Sequence, residues 1–282
     1  MLITGASSGI GKNAAIRLAE AGAHVLLVAR SMDKLEETAA EIAELGGVAS
    51  IYPCDASNLE DCDRLVAEVL KNHGHVDILV NNAGRSIRRS LELSYDRFHD
   101  FERTMQINYF GAIRLTMGLL PTMSERKSGQ VINISSISTL TPSPRFSAYV
   151  ASKSALDAWT RAAAVEYSDR NVRFTNIHMP LVRTPMIEAT TIYNSMPVLS
   201  PDEAVDMIVE AVIKKPKRIA TQMGIALQVL NTVAPKFAEV VMNTVFRMFA
   251  DSAAAKGDKK SEQLEVSNEQ VALGALMKGV HF

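Results

Sequence analysis

The sequence predicts an α/β fold in which a doubly wound parallel sheet of about seven strands is followed by a C-terminal helical extension. Short apolar segments alternate with segments of helical periodicity across residues 2–221, which is typical of such sheets. Residues 76–80 are apolar except for Asp77, as in a strand buried on both faces. A glycine-rich turn between the first strand and the first helix is the third indication.

Composition bounds the class of protein. The chain has 282 residues, of which 47% are hydrophobic and 22% are charged, and its formal net charge is −1. These values are ordinary for a soluble globular protein and give no electrostatic reason to expect a nucleic-acid partner. Cys54 and Cys62 suggest no secreted disulfide framework, so we expect a cytoplasmic protein. His73 and His75 lack further ligands at suitable spacing, so we expect no bound metal.

The chain begins inside its first motif, because residues 2–4 leave room for only the end of a strand. We therefore expect either a truncated or misassigned start, or a domain cut from a longer chain. The turn that follows has the spacing TGxxxGxG, and its candidate cofactor-binding residues are Gly5, Ser7, Ser8, Gly9, Ile10 and Gly11. Glycines at a strand-to-helix turn let the backbone approach a pyrophosphate, which the helix N-terminus attracts.

The second predicted strand, residues 24–29, ends without an acidic residue. Folds that bind NAD usually place an acid there for the ribose 2′-hydroxyl, whereas this chain has Ala29 followed by Arg30. The pattern favours a 2′-phosphate and therefore NADPH. The alternative is that Arg30 is a solvated charge at the end of the strand.

Tyr149 and Lys153 are the candidate catalytic pair. Residues four apart share one face of a helix, so the ammonium group of Lys153 can lie beside the phenol of Tyr149. A nearby cation favours the phenolate and lowers a phenol pKa from about 10, which suits proton transfer near neutral pH. Ser136 comes just after the predicted apolar strand of residues 130–134, where its hydroxyl could hydrogen-bond the same substrate oxygen.

Asn108 is a polar residue within the apolar stretch MQINYFGAI. We predict that it lies on a long helix over residues 95–120. A core asparagine with a satisfied amide is the alternative to a functional role, and the spacing does not decide between them.

The remaining elements complete the sheet and then leave it. Further strands are predicted at residues 48–52, 172–177 and 218–221, with a capped helix over residues 201–215 that begins at Ser200-Pro201. Residues 185–197 are expected to be mobile. We predict a catalytic domain over residues 1–221, an apolar helical extension over 222–250 that breaks at Pro235, and a flexible tail over 251–282 with an apolar end.

The predicted helix after Pro235 has an unusually broad apolar face. Lys236, Glu239, Asn243 and Arg247 form a narrow polar stripe, and the residues around them are apolar: Phe237, Val240, Val241, Met242, Val245, Phe246, Met248 and Phe249. Such a face must be buried against the fold, a partner subunit or a lipid surface. We therefore expect a homo-oligomer or peripheral membrane contact, and the segment is too interrupted to span a bilayer.

Taken together, these motifs resemble the short-chain dehydrogenase/reductase family over residues 1–220. The residues that carry the resemblance are Thr4, Gly5, Gly9, Ile10, Gly11, Asn81, Asn82, Ala83, Gly84, Asn108, Ser136, Tyr149 and Lys153. The resemblance implies a Rossmann-type sheet with strand order 3-2-1-4-5-6-7 and a nicotinamide cofactor.

The resemblance also implies individual roles. Tyr149 would be the general acid/base, Lys153 would lower its pKa and hold the nicotinamide ribose, Ser136 would polarise the carbonyl, and Asn108 would support a water relay. The remaining cofactor-binding positions would include Asp55 at the adenine ring, Asn82 with Ala83 and Gly84 beside the cofactor, and Pro180, Val182 and Thr184 after the sixth strand. The family usually has Pro-Gly there, whereas this chain has Pro180-Leu181.

A narrower resemblance is to the bacterial fatty acyl-CoA reductases of this family, which make aldehydes. It is carried by NNAGRSIRRSL at 81–91, MPLVRTPM at 179–186 and the segment over residues 216–256. On this reading Arg85, Arg88 and Arg89 would help hold the phosphates of an acyl-CoA substrate, because guanidinium groups bind phosphate bidentately. The alternative is a solvated basic loop that balances acids on the next helix.

The sequence alone leaves three functions open. The first is an NADPH-dependent reductase of a long-chain fatty acyl-CoA thioester. The second is a ketone or alcohol dehydrogenase that acts on a hydrophobic substrate by the same chemistry. The third is a non-catalytic cofactor-sensing protein, which the presence of all four catalytic positions disfavours because such a protein needs no activated tyrosine.

Overall fold

A computed structural model describes residues 1–188, 198–248, 251 and 253–256. Seven parallel strands form one sheet in the order β3-β2-β1-β4-β5-β6-β7. The strands are β1 (Leu2–Thr4), β2 (His24–Ala29), β3 (Val48–Pro53), β4 (Ile78–Asn81), β5 (Gly129–Ser136), β6 (Val172–Met179) and β7 (Arg218–Ala220). The predicted doubly wound sheet and its strand order are confirmed.

Helices cover both faces of this sheet, and the last helices of the chain extend beyond it. They are α1 (Gly9–Glu20), α2 (Met32–Glu44), α3 (Leu59–His73), α4 (His99–Met105), α5 (Ala112–Glu125), α6 (Ser147–Glu166), α7 (Pro185–Glu188), α8 (Pro201–Lys214), α9 (Gln222–Val233), α10 (Pro235–Met248) and α11 (Ala253–Lys256). The predicted start of α8 is confirmed, because Ser200 and Glu203 form a reciprocal capping box.

The core lies in two layers because successive residues of each strand point to opposite faces of the sheet. Leu2 and Leu26 belong to one apolar cluster, while their neighbours Ile3 and Leu27 belong to the other. Four of the seven strands therefore contribute adjacent buried residues to both layers, which explains their continuous hydrophobic runs. Because all seven strands run parallel, their carboxyl ends lie at one edge of the sheet.

The long helix predicted over residues 95–120 is wrong in its start and in its continuity. Tyr95 and Phe98 are exposed and precede α4. A π-helical turn, Gln106–Gly111, joins α4 to α5, which ends at Glu125. Gly111 packs so closely on the carbonyl oxygen of Ala56 that a Cβ there would overlap it. Asn108 lies in this wider turn, a form of helix that is frequent at functional sites.

The C-terminal helices leave the sheet after β7, with the predicted break at Pro235 between α9 and α10. The part of the chain that the structure describes covers only some of their apolar surface. Ile225, Val229 and Val233 on α9 and Phe237, Val240 and Val241 on α10 are exposed. Within the described residues, none of the helices has the length and hydropathy needed to span a membrane. Phe249 and residues 257–282 of the predicted tail, together with residues 189–197 of the segment expected to be mobile, lie outside the described residues.

Candidate active site

The glycine turn after β1 presents bare backbone at the start of α1. Gly5 and Gly9 have φ angles of 69° and 53°, which glycine adopts without steric cost. A Cβ on Gly11 would overlap the carbonyl oxygen of Gly5. The side chain of Ser8 makes no capping hydrogen bond to α1, and the first turn contains no acidic residue. This geometry fits the pyrophosphate of a dinucleotide.

The loop after β6 lies across this turn. A Cβ on Gly9 would lie 3.3 Å from Cγ2 of Thr184, so the two segments approach closely. Leu181, which stands where the family usually has glycine, is not among the residues with positive φ. Its carbonyl oxygen accepts a 2.8 Å hydrogen bond from the amide of Leu199. Leucine is therefore compatible with the backbone of this loop.

Tyr149 and Lys153 lie on the first turns of α6, as the spacing predicts. Lys153 is buried, and its Nζ donates a 2.7 Å hydrogen bond to the carbonyl oxygen of Ile134 on β5. Burial lowers the pKa of Lys153 to about 8, while the nearby carboxylate of Asp157 raises it. The structure thus places a lysine with a perturbed pKa one helical turn from the tyrosine.

Ser136 ends β5, and its hydroxyl is organised by the turn that follows. Its Oγ lies 2.9 Å from Oγ of Ser138 and accepts a hydrogen bond from the amide of Ser138. Thr139 Oγ1 donates to the carbonyl oxygen of Ser136 and lies 3.0 Å from Nδ1 of buried His178. Burial lowers the pKa of His178 and so favours its neutral form, although the carboxylate of Asp157 opposes this shift.

Asn108 is buried, and its amide is satisfied. Its Oδ1 accepts from the amide of Arg85 at 2.8 Å, and its Nδ2 donates to the carbonyl oxygen of Arg85 and to Oγ of Ser152, each at 2.9 Å. A Cβ on Gly84 would lie 2.9 Å from Asn108 Oδ1 and 3.4 Å from Lys153 Nζ. Asn108 is therefore a core asparagine with a satisfied amide, which is the alternative that the sequence left open. It also lies close to Lys153.

The predicted cofactor residues follow the carboxyl ends of neighbouring strands. Arg30 follows β2 and is exposed. Asp55 follows β3, and its Oδ1 accepts from the amide and hydroxyl of Ser57. The side chain of Asn82 donates to the carbonyl oxygen of Thr4, so it ties the loop after β4 to the glycine turn. Ser7 lies within that turn.

The arginine loop, which follows β4 and carries Arg85, Arg88 and Arg89, places these residues in different environments. Arg89 is largely buried: its Nη1 donates to the carbonyl oxygen of Ala255 at 2.6 Å, and its Nε lies 3.3 Å from Oδ2 of Asp100. The Nε–H is not aligned for a hydrogen bond, so the second contact is an ion pair only. Burial, followed by the charges of Arg103 and Arg30, lowers the pKa of Arg85. Arg89 thus has internal partners, and the loop lies near Arg30.

A cavity of about 620 Å³ connects these features, a volume typical of small-molecule sites. Of the residues predicted for catalysis, cofactor or substrate, it is lined by Gly5, Ser8, Gly9, Ile10, Asn82, Ala83, Gly84, Arg85, Arg88, Arg89, Ser136, Tyr149, Lys153, Pro180, Val182 and Thr184. Ser7, Gly11, Arg30, Asp55 and Asn108 do not line it. Gly11 and Asn108 are buried behind its walls, and Arg30 and Asp55 follow strands on the far side of β1.

Sequence reasoning did not identify the apolar wall of this cavity. Ile87, Ile137, Phe146, Leu181 and Ile187 line it together with Ala255. The rings of Phe146 and Tyr149 lie 6.3 Å apart, edge to face. The sequence signal that could have identified these apolar residues is that several of them lie close in sequence to predicted catalytic residues. This wall suits an apolar substrate beside a tyrosine and a serine.

A family model described as short chain dehydrogenase matches residues 1–193. The chain belongs to the short-chain dehydrogenase family. The predicted membership is confirmed, and the protein is an oxidoreductase of this family. It is 53% identical over 281 residues to a fatty acyl-CoA reductase of Acinetobacter baylyi, with 100% of this chain and 94% of the relative covered.

Other members of the short-chain dehydrogenase family extend the comparison. A fatty acyl-CoA reductase of Mycobacterium tuberculosis is 44% identical, with 86% of this chain and 83% of the relative covered. The crystal structure of a Streptomyces avermitilis short-chain dehydrogenase is 29% identical with a TM-score of 0.73, covering 87% of this chain and 97% of that one. A metagenomic short-chain oxidoreductase in complex with NADP is 30% identical with a TM-score of 0.64, covering 74% and 87%.

Proposed function

We propose that this enzyme reduces a long-chain fatty acyl-CoA thioester to the fatty aldehyde with NADPH, and that Tyr149 is the general acid. The observation that carries the proposal is one cavity lined by the glycine turn, by Ser136 and Tyr149, and by the arginine loop. The 53% identity over the whole chain to a protein named fatty acyl-CoA reductase supports the substrate class.

The cofactor would lie along the carboxyl edge of the sheet. The glycine turn would hold its pyrophosphate, Asp55 its adenine ring, and Pro180, Val182 and Thr184 would lie beside the nicotinamide. Arg30 would bind the 2′-phosphate, since β2 ends without an acid. The similarity to an oxidoreductase in complex with NADP supports this preference.

The chain's own residues would stabilise and protonate the substrate oxygen. Bound NADPH would supply the hydride to the thioester carbon. Ser136 Oγ would donate a hydrogen bond to the carbonyl oxygen, and Tyr149 would transfer its phenolic proton to the oxyanion as it forms. Protonated Lys153 would favour the resulting phenolate. The thiohemiacetal would then break its C–S bond, releasing aldehyde and free CoA.

The arginine loop would provide the CoA-binding side of the site. It follows β4 at the edge of the sheet where ligands bind in this fold, and Arg85 and Arg88 line the cavity. Because Arg89 has internal partners, we assign the phosphate contact mainly to Arg85 and Arg88 and a structural role to Arg89.

We also propose that α9 and α10 contact an anionic lipid surface. Their exposed apolar side chains follow a basic segment, Lys214, Lys215, Lys217 and Arg218. Residues 213–248 contain six basic residues and one acidic residue, Glu239, although the whole chain has a net charge of −1. Apolar area combined with positive charge is the pattern of membrane-surface helices.

A substrate panel tests the proposed reaction. NADPH oxidation would be measured with palmitoyl-CoA, a long-chain ketone and a long-chain aldehyde at equal concentration. We expect palmitoyl-CoA to give the highest kcat/KM of the three and the fatty aldehyde to accumulate. Turnover of the ketone without turnover of palmitoyl-CoA would instead favour a ketone or alcohol dehydrogenase.

A further inference from the structure

The described C-terminal residues reach back to the substrate side of the cavity. Ala255 lines the cavity and is buried. Its carbonyl oxygen accepts the 2.6 Å hydrogen bond from Arg89. A segment that follows α10, well beyond the last strand of the sheet, therefore forms part of the wall around the predicted catalytic residues.

Asp251 joins this segment to two loops of the catalytic domain. Its Oδ1 accepts a 3.1 Å hydrogen bond from the amide of Ser90 and lies 3.2 Å from Nε of Arg145. The Nε–H is not aligned for a hydrogen bond, so this contact is an ion pair. The side chains of Arg145 and Asp251 are only 7% and 12% exposed. A pair this buried is costly to break, because removing one charge leaves the other without compensation.

Arg145 also holds the end of α10. Its Nη1 donates to the carbonyl oxygen of Phe246 at 3.1 Å, and its guanidinium lies 4.0 Å from the centroid of the Phe246 ring. The carbonyl oxygen of Arg145 accepts from the amide of Arg89. One arginine thus connects α10, the arginine loop and the start of α6.

The backbone at Arg145 is unusual. Its φ of 70° lies in the left-handed region, which a non-glycine residue keeps only where its surroundings hold it. The next residue, Phe146, lines the cavity and packs edge to face on Tyr149. The contacts of Arg145 therefore bear directly on the apolar wall beside Tyr149.

We propose that Asp251 is a specificity-determining and positioning residue. By pairing with Arg145 and Ser90, it holds Ala255 in the wall of the cavity against which the acyl chain of the substrate packs. The preference for a long chain over a short one then depends on this pair. The statement about acyl chains rests on the function proposed above, whereas the anchoring of the segment does not.

The test uses Asp251→Asn, which removes the charge and keeps an oxygen for the amide of Ser90. Glu239→Gln, at an exposed carboxylate on α10, is the matched control. The kcat/KM for palmitoyl-CoA relative to butyryl-CoA should fall about ten- to a hundredfold in Asp251→Asn, as expected for loss of a charge-assisted contact. The change should lie in KM, and the ratio for Glu239→Gln should equal that of wild type.

A second readout is independent of the substrate. Trypsin should cut after Arg247, which is exposed on α10, faster in Asp251→Asn than in wild type or Glu239→Gln. An unchanged chain-length ratio and an unchanged cleavage rate would overturn the proposal. A lower melting temperature with an unchanged ratio would also overturn it, since a purely structural role predicts that result.

Two further experiments separate a failure of the proposed role of Asp251 from misfolding and from a failure of the proposed function. If Asp251→Asn loses NADPH binding through misfolding, the same ratio of kcat/KM for palmitoyl-CoA to butyryl-CoA is measured in Arg145→Lys. This variant keeps the positive charge but loses the forked guanidinium group that reaches Phe246. If wild type reduces ketones and not acyl-CoA, the proposed function fails. A ketone series of increasing length, together with the trypsin rates, then supports or overturns the role of Asp251.

Discussion

The Nζ of Lys153 on α6 lies 2.7 Å from the carbonyl oxygen of Ile134, two residues before Ser136 on β5. This bond holds the lysine between the strand that carries the serine and the helix that carries the tyrosine. Asp157 lies one turn further along the same face of α6. Among the described residues its buried Oδ1 has no hydrogen-bond partner, and its Oδ2 lies 3.7 Å from Nδ1 of His178.

The charge state of Lys153 predicts how activity depends on pH. Burial lowers its pKa to about 8, and Asp157 opposes that shift, so the ammonium group is present below pH 8 and lost above it. The kcat/KM for NADPH, which reports groups of the free enzyme, should therefore fall as pH rises through this value. In Asp157→Asn the fall should move to lower pH. Asp169→Asn, at an exposed carboxylate, is the control, and equal profiles for all three proteins would contradict the assignment.

The second prediction concerns the cofactor. Arg30→Ala should raise KM for NADPH about ten- to a hundredfold, because a charge-assisted bond to the 2′-phosphate is lost, and should leave KM for NADH nearly unchanged. Arg17→Ala removes an exposed cation elsewhere and should leave both values as in wild type. Equal use of the two cofactors by wild type would refute the role of Arg30.

The third prediction separates the members of the arginine loop. Arg88→Ala should raise KM for palmitoyl-CoA about ten- to a hundredfold through loss of a phosphate contact and should leave KM for decanal unchanged. Arg97→Ala removes a partly exposed cation that also pairs with Asp100 and is the control. Arg89→Ala should instead lower the melting temperature, since Asp100 is buried. An equal rise of KM for both substrates in Arg88→Ala would argue against a CoA contact.

The fourth prediction concerns the exposed apolar side of α9 and α10. Wild type should sediment with phosphatidylglycerol vesicles more than with phosphatidylcholine vesicles, and salt should weaken the interaction. The double variant Phe237→Ser/Val240→Ser should bind at least about tenfold more weakly, because burying such side chains contributes about 1.5–3 kcal/mol each. Val165→Ser changes an equally exposed residue on α6 and should bind as wild type.

Two results would contradict the lipid proposal. One is sedimentation that does not depend on Phe237 and Val240. The other is a change from dimer to monomer in the double variant during analytical ultracentrifugation, which would assign this face to contact between two copies of the chain.

Local periodicity was sufficient to predict the parts of the site that lie on regular elements. Tyr149 and Lys153 share a face because they are four residues apart, and Ser136 was predictable as the end of an apolar strand. The glycine turn was predictable because its spacing lies between a strand and a helix. Each of these signals lies within about twenty residues of chain, and the sheet then brings the residues concerned together at one edge.

Features that depend on distant contacts were not predictable. The π-helical turn around Asn108 depends on how Gly111 packs on Ala56, and hydrophobic periodicity does not distinguish it from an α-helix. The partners of Arg89 lie on α4 and in the C-terminal segment. The pairing of Arg145 with Asp251 likewise joins residues whose neighbours in sequence give no indication of each other.

The most direct test of the central claim compares two products of one reaction. During the initial rate, with palmitoyl-CoA in excess and little aldehyde formed, wild type should release one free thiol for each NADPH oxidised, because reduction to the aldehyde uses one hydride and breaks one C–S bond. Tyr149→Phe should keep NADPH binding and lose roughly 10²–10⁴-fold in kcat, the usual contribution of a general acid. Oxidation of NADPH without release of thiol, or a Tyr149→Phe variant within a few-fold of wild type, would contradict the account.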